Sequence, residues 1–204
     1  MNVLRFFKLF QALVRKLQNT MELAKYDNLT IAEYFRKQGA HIGERCYIVP
    51  RSLCTEPYLL KIGNHVLIAQ GVVFHTHDGG TWVFREEMAE LRVFGPIVVE
   101  DNSIIGANSQ ILPNVTIGRN SIVGTGSVVI TDVPPDSLVM GVPARKMGSV
   151  DKYREKCIER WKEQKPSNLH SDYMMPFWET SKNKQIILNQ MKEHLLSLFK
   201  DKLG

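Results

Sequence analysis

Residues able to move protons or hold metals are few in this chain of 204 residues, which contains six histidines and three cysteines. Two of the histidines, His75 and His77, stand close together in the segment FHTHDGG. Residues two apart in an extended segment share a face, so both imidazoles would be presented together. An imidazole changes charge near neutral pH and can take up or release a proton there. The pair therefore suits general acid–base chemistry, and it suits equally a turn histidine that only hydrogen-bonds its own loop. His65 follows Gly63-Asn64 and reads as a surface residue at a corner of the chain. Cys46, Cys54 and Cys157 form an odd set with neither metal-ligand nor redox spacing, which points to a reducing compartment and no metal.

The elements that must position these histidines are legible as a repeat. Aliphatic residues recur every six positions at Val99, Ile105, Ile111, Ile117, Val123 and Val129. Four residues after each stands a small or β-branched side chain: Ser103, Ser109, Val115, Ser121, Ser127 and Val133. The same phase holds earlier, at Ile42 with Cys46, Ile48 with Ser52, Ile62 with Val66, Ile68 with Val72, and then Phe74. Six residues make a short strand and a turn, and three such units make one triangular coil. Both periodic residues point inward and stack on their equivalents in the next coil, so each coil contacts only its neighbours. Gly63-Asn64, Asp101-Asn102 and Arg119-Asn120 supply the turn residues. The expectation is an all-β core with helical ends, a parallel β-helix of hexapeptide repeats over residues 41–149. The rhythm breaks twice. Cys54–Lys61 adds two residues, and the stretch from His75 to Val98 abandons the period, predicting a protruding loop over about 76–96. A loop leaving a rigid solenoid is a natural place for function.

Residues 1–40 carry a net charge of +4, residues 41–149 of −2 and residues 150–204 of +3. A basic, aromatic-laced stripe on the main domain is missing, which argues against a nucleic-acid partner. Val3, Phe6, Phe7, Phe10, Leu13, Val14 and Leu17 trace a helical apolar face, and no acid precedes Glu22. That helix would pack on the protein or a neighbouring subunit, with peripheral membrane contact as the alternative. A second helix is predicted over Thr30–Gln38, opened by a Thr30–Glu33 capping box and closed by Gly39. Residues 150–204 read as a helical extension: one helix over Val150–Lys165 and another over Ser181–Leu203, with Pro176 marking an irregular link. No run is long and apolar enough to span a membrane.

The motifs IGNHVLIAQGVVFHTHDGG and IVVEDNSIIGANSQILPNVTIGRNSIVGTGSVVITDVPPDSLVMGVPAR resemble those of the hexapeptide acyltransferases of left-handed β-helix fold. The likeness is nearest to the branch of maltose, galactoside and xenobiotic O-acetyltransferases, and within it to bacterial enzymes acting on surface polysaccharides. It covers roughly residues 41–149. The resemblance implies a homotrimer with active sites between subunits, acetyl-CoA as acyl donor, and a histidine general base matching His77; His75, two residues away, is the competing candidate for the base and is otherwise expected to contact the acceptor. Glu100, on the strand returning from the loop, is the expected orienting partner of His77, with Asp78 or a backbone carbonyl as alternatives. Ala107, Thr125 and Gly126 match positions that let the pantetheine arm approach the main chain. Arg145 and Lys146 match positions facing the nucleotide phosphates.

The sequence departs from that branch where the galactoside and maltose enzymes carry a tryptophan, for Ile104 stands there. The acceptor is therefore expected to be a sugar other than free maltose or galactoside, in a surface polysaccharide or its precursor. Trp82, Phe84 and Arg85 offer stacking and hydrogen bonding to a sugar ring, or a face for a neighbouring subunit. The alternatives are acyl transfer to a nucleotide-linked amino sugar, a non-catalytic β-helix trimer, or a metal-binding one, whose wider histidine spacing is absent. The expected location is the cytoplasm, with the inner face of the membrane as the variant that the first helix would bring.

Overall fold

Each hexapeptide is too short for more than two or three residues of strand before a corner, and the strands have that length. A computed structural model of the chain describes residues 3–174 and 178–203. Pro176, expected to mark an irregular link, lies outside them, as do the side chains of Val3 and Phe6. The described chain forms two compact units, residues 1–151 and 152–204.

The first unit is a left-handed parallel β-helix with three faces. One face stacks β1 (His41–Ile42), β3 (Leu60–Ile62), β6 (Ile97–Val99) and β9 (Thr116–Ile117). The second stacks β2 (Tyr47–Ile48), β4 (Leu67–Ile68), β7 (Ile104–Ile105), β10 (Ile122–Val123) and β12 (Ser137–Met140), to which β13 (Arg145–Ser149) adds antiparallel. The third stacks β5 (Val73–Phe74), β8 (Gln110–Ile111) and β11 (Val128–Val129). Every strand from β1 to β11 contributes an inward aliphatic or aromatic residue in the phase of the repeat, and β3 and β6 add a second, Leu60 and Ile97. The eleven in phase are buried, with Ile42 the most exposed at 8%.

Coil length is set by the breaks in the repeat. Ile42 pairs with Ile62 and Ile48 with Ile68, an offset of 20 residues, because Cys54–Lys61 carries two extra. The offset is 37 across the loop, as for Phe74 and Ile111, and 18 thereafter. Two expected inward positions are occupied differently. Ser52 is exposed and Leu53 takes the buried place in the first coil. Val133 bridges to Ile117 and so fills an aliphatic position two residues early, shortening the last coil.

The small inward residues are mostly serines, and their hydroxyls are satisfied. Ser103 Oγ donates to the Gly118 carbonyl at 3.2 Å and Ser109 Oγ to that of Gly124 at 3.0 Å. Burial of these polar groups is thus compensated. At the turns Arg45, His65, Asn102, Asn114, Asn120 and Asp136 take positive φ. His65 belongs to a corner ladder, its Nδ1 2.7 Å from Asn102 Oδ1, and Asn102 in turn donates to Asn120.

Helix α1 (Val3–Leu23) and α2 (Ile31–Lys37) precede the coils. Helix α2 plugs the open end of the solenoid with Ile31, Ala32 and Phe35, all buried. Its start differs from the expected capping box: the Thr30 side chain does not cap the helix. Asp27 Oδ1 instead accepts from the Leu29 and Thr30 amides, both at 2.9 Å, and from the Thr30 hydroxyl. That competing turn engages Thr30 before it can reach the helix amides. Gly39, at φ +99°, closes the helix as its sequence position implied.

In the second unit α3 (Val150–Gln164), which begins at the division, buries no residue. Trp161 stacks on Tyr173 at 5.6 Å. The final helix is broken into α4 (Lys184–Leu198) and α5 (Lys200–Leu203). Of its apolar residues Ile187 is fully buried, whereas Ile186 and Leu198 are exposed.

Candidate active site

The alternation of the third face continues past β5 and decides which side chains face outward. Phe74 and Thr76 are buried, and His75 and His77 point away from the core. The base of the loop is tied down as a short antiparallel pair. His77 bridges Phe94, Asp78 N–H donates to the Val93 carbonyl at 2.9 Å, and Gly95 N–H to the Thr76 carbonyl at 3.0 Å. The loop beyond is a 3₁₀ turn over Gly79–Phe84, capped by Asp78, whose Oδ1 accepts from Gly80 N–H at 2.8 Å.

Both histidines line a cavity of about 490 Å³. Val93, Gln110 on β8, Leu112, Pro113, Asn114 and Ile130 line it as well. His75 Nε2 sits 2.9 Å from Gln110 Oε1. His77 Nδ1 sits 3.0 Å from Oε2 of Glu56, a carboxylate only 13% exposed. The same oxygen accepts from the Thr76 hydroxyl. Burial raises the Glu56 pKa, but the hydrogen bonds from Thr76 and His77 outweigh it and hold the carboxyl below the usual range. Glu56 is therefore an anion fixed beneath His77. It sets Nδ1 as the protonated nitrogen and leaves Nε2 as the basic one. Nearby Cys54 is pushed up to about 11, chiefly by burial, and stays a thiol.

Glu100 does not fill the role expected of it. Its Oε2 accepts from Arg119 N–H at 2.8 Å, tying two successive coils at a corner between the first and second faces. Asp78 is committed to its own turn, and His77 Nδ1 faces the Glu56 carboxylate where a backbone carbonyl was the alternative. Sequence reasoning misses Glu56 because it lies in the two-residue expansion of the first coil. It precedes Thr76 by 20 residues, the same offset that separates Ile42 from Ile62 and Ile48 from Ile68. Coil arithmetic applied to the histidine segment is the signal that reaches it.

Trp82 and Arg85 do not line the cavity either. The Arg85 guanidinium lies over the Trp82 ring at 4.8 Å, and Trp82 remains 69% exposed. The five expected donor positions gather elsewhere. Gly126 N–H donates to the Ala107 carbonyl at 2.8 Å, so the two are stacked at one corner between the second and third faces, with Thr125 exposed beside them. Gly126 has φ +69° and open space where a Cβ would project. The β12–β13 hairpin abuts this corner. Val128 N–H donates to the Gly141 carbonyl at 3.0 Å and its carbonyl accepts from Ala144 N–H at 2.8 Å. Arg145 and Lys146 follow on β13, exposed to solvent. The third face thus runs from the Glu56–His77 pair at one edge to this glycine corner at the other, and the two cations stand on β13 of the adjoining second face. Among the described residues no cluster of three or more histidines, cysteines or acids could hold a metal.

A left-handed parallel β-helix built on hexapeptide coils is the fold of the hexapeptide-repeat transferases. The bacterial transferase hexapeptide family (six repeats) matches residues 96–131. Protein CapG of Staphylococcus aureus is 41% identical over 169 residues, 81% of this chain and 87% of that one. Galactoside O-acetyltransferase of Escherichia coli is 34% identical over 111 residues, 54% of each chain. A hexapeptide-repeat-containing acetyltransferase of Vibrio cholerae superposes with a TM-score of 0.53 at 30% identity, covering 67% of this chain and 89% of that one. The chain belongs to the hexapeptide-repeat acyltransferase family and is an acyltransferase.

Proposed function

We propose that the protein is an acetyl-CoA-dependent O-acetyltransferase whose acceptor is a sugar hydroxyl of a surface polysaccharide or its precursor. The observation that carries the reading is His77, anchored through Nδ1 on the Glu56 carboxylate and lining the 490 Å³ cavity. Similarity to the galactoside O-acetyltransferase of Escherichia coli supports the acceptor class. The acceptor hydroxyl oxygen attacks the thioester carbonyl while His77 Nε2 takes its proton. A C–O bond forms, the C–S bond breaks, and the proton passes from the imidazolium to the departing thiolate. Glu56 balances the charge that develops on the ring. A thioester is already activated, so no nucleophilic serine or cysteine is required. A main-chain N–H is assigned to the oxyanion.

The donor lies along the third face, its pantetheine arm against Ala107, Thr125 and Gly126 and its phosphates toward Arg145 and Lys146. The basic pair and the open Gly126 corner fit such a group. His75, bonded to Gln110 in the same cavity, contacts the acceptor. The assembly is a homotrimer in which each site is completed by a neighbour. Val73, Val93, Phe94 and Ile130, 41–50% exposed around the cavity, supply the apolar surface that a neighbour would cover. Its location is the cytoplasm, where the donor is made.

The test is incubation with isotopically labelled acetyl-CoA and a panel of sugar acceptors, reading thiol release and product mass. The reading requires an acetyl ester labile to mild alkali. An alkali-stable amide product, or no thiol release with any hydroxyl acceptor, overturns it.

A further inference from the structure

The first helix stands out from the site already described. Among the described residues, α1 packs against the core near its end, through Leu23 and the following Tyr26. Phe7, Phe10, Leu13, Leu17 and Met21, spaced by threes and fours, are 54–70% exposed, and Leu9 beside them is 58% exposed. Spacing by threes and fours puts these residues on a single face of the helix. A stripe of this kind left in water needs a cover.

The charges say what covers it. Lys8, Arg15 and Lys16 lie away from the apolar stripe and form no ion pair among the described residues. Glu22 is the first acid of the chain, and it is matched by Lys25 and by Lys37, whose Nζ lies 3.8 Å away. The helix therefore offers one apolar face and one uncompensated cationic face. An anionic lipid surface satisfies both faces at once, taking the apolar stripe among its acyl chains and drawing the cations to its headgroups. No helix among the described residues is long and apolar enough to cross a membrane, so the geometry is one of lying in the interface. We propose that α1 binds the surface of an anionic lipid bilayer, burying Phe7, Phe10, Leu13, Leu17 and Met21 among the acyl chains and setting Lys8, Arg15 and Lys16 at the headgroups.

The proposal stands independently of the acceptor. It is tested with the full chain by flotation with vesicles of phosphatidylcholine alone and of phosphatidylcholine with phosphatidylglycerol. The protein floats with the anionic vesicles and weakens as salt rises, since the charge contribution is screened. Each basic residue near such a surface strengthens binding about fivefold. The triple variant K8Q/R15Q/K16Q is therefore expected to bind roughly 100-fold more weakly. F10S/L13S is expected to lose flotation while thiol release on a soluble acceptor is unchanged, because neither residue lines the cavity. Equal flotation with both vesicle types, or none with either, overturns the proposal. So does a drop in oligomer mass for F10S/L13S, measured by light scattering, since a second copy would then be the cover. Circular dichroism of both variants checks that the solenoid is intact.

Discussion

Replacing Glu56 by glutamine keeps the shape of the group beneath His77 and removes its charge. The amide oxygen of the Glu56→Gln variant can still accept from Nδ1, so the imidazole keeps a partner and loses the balancing anion. An imidazolium and a carboxylate 3.0 Å apart attract by about 5.5 kcal/mol at an effective dielectric of 20 and by about 1.4 kcal/mol in bulk water. His77 is 45% exposed and Glu56 13%. Solvent therefore screens the pair, and the lower part of that range applies. The expected loss is roughly 10- to 100-fold in kcat, with KM for both substrates nearly unchanged, because the charge on the ring develops only in the transition state. The sign of the pH effect follows from the lowered Glu56 pKa. Its stabilising contribution is complete above the ordinary carboxylate range and is lost as pH falls through the folded-state value. Glu56→Gln should accordingly weaken the acid dependence of both stability and kcat. The assay is thiol release under saturating donor, repeated from roughly pH 7 down to roughly pH 3, so that the range passes below the ordinary carboxylate value. A kcat within about twofold of wild type would refute the role given to Glu56.

Three other outcomes are expected. Gly106→Ala would place a Cβ 2.6 Å from the Thr125 amide nitrogen and 2.7 Å from the Val123 carbonyl, both backbone. Coils cannot part locally, so a loss of about 1–3 kcal/mol or more should appear in thermal unfolding, and an unchanged Tm would contradict the stacking described. Cys54, with its thiol at about 11, should resist iodoacetamide at neutral pH, while exposed Cys157 is modified. Peptide mass mapping that finds both labelled at equal rates would show that the pocket under His77 is open. Arg145→Ala should raise KM for acetyl-CoA about tenfold with kcat nearly constant, the pattern of a ground-state phosphate contact. A fall in kcat at constant KM would remove Arg145 from the donor site.

The solenoid is legible in the sequence because one inward aliphatic per six residues is a requirement of the coil and not a preference. All eleven such positions from Ile42 to Val129 are buried. Two inward neighbours, Ser52 and Val133, fall out of place because they stand beside changes in coil length, where counting by six fails. His77 is legible by its place where the repeat breaks. Its partner is not, since Glu56 is brought to it by stacking across coils and carries no local signature. Glu100 is the natural choice along the chain, but its corner holds a bare amide at Arg119 that claims the carboxylate. The Arg85 guanidinium lies over the Trp82 ring, a contact that spacing does not reveal. Helix ends can be read where glycine dictates the backbone, as at Gly39, and not at Thr30, where Asp27 competes for the same hydroxyl.

The role of His77 as general base is tested most directly by the single-turnover rate of His77→Ala against His75→Ala, at saturating acetyl-CoA and a fixed acceptor. A positioned base contributes about 10²- to 10⁴-fold. His77→Ala should lose that factor and still bind acetyl-CoA, while His75→Ala should retain most of its rate. A His77→Ala enzyme within about tenfold of wild type, or the reverse order of the two variants, would contradict His77 as the group that takes the proton.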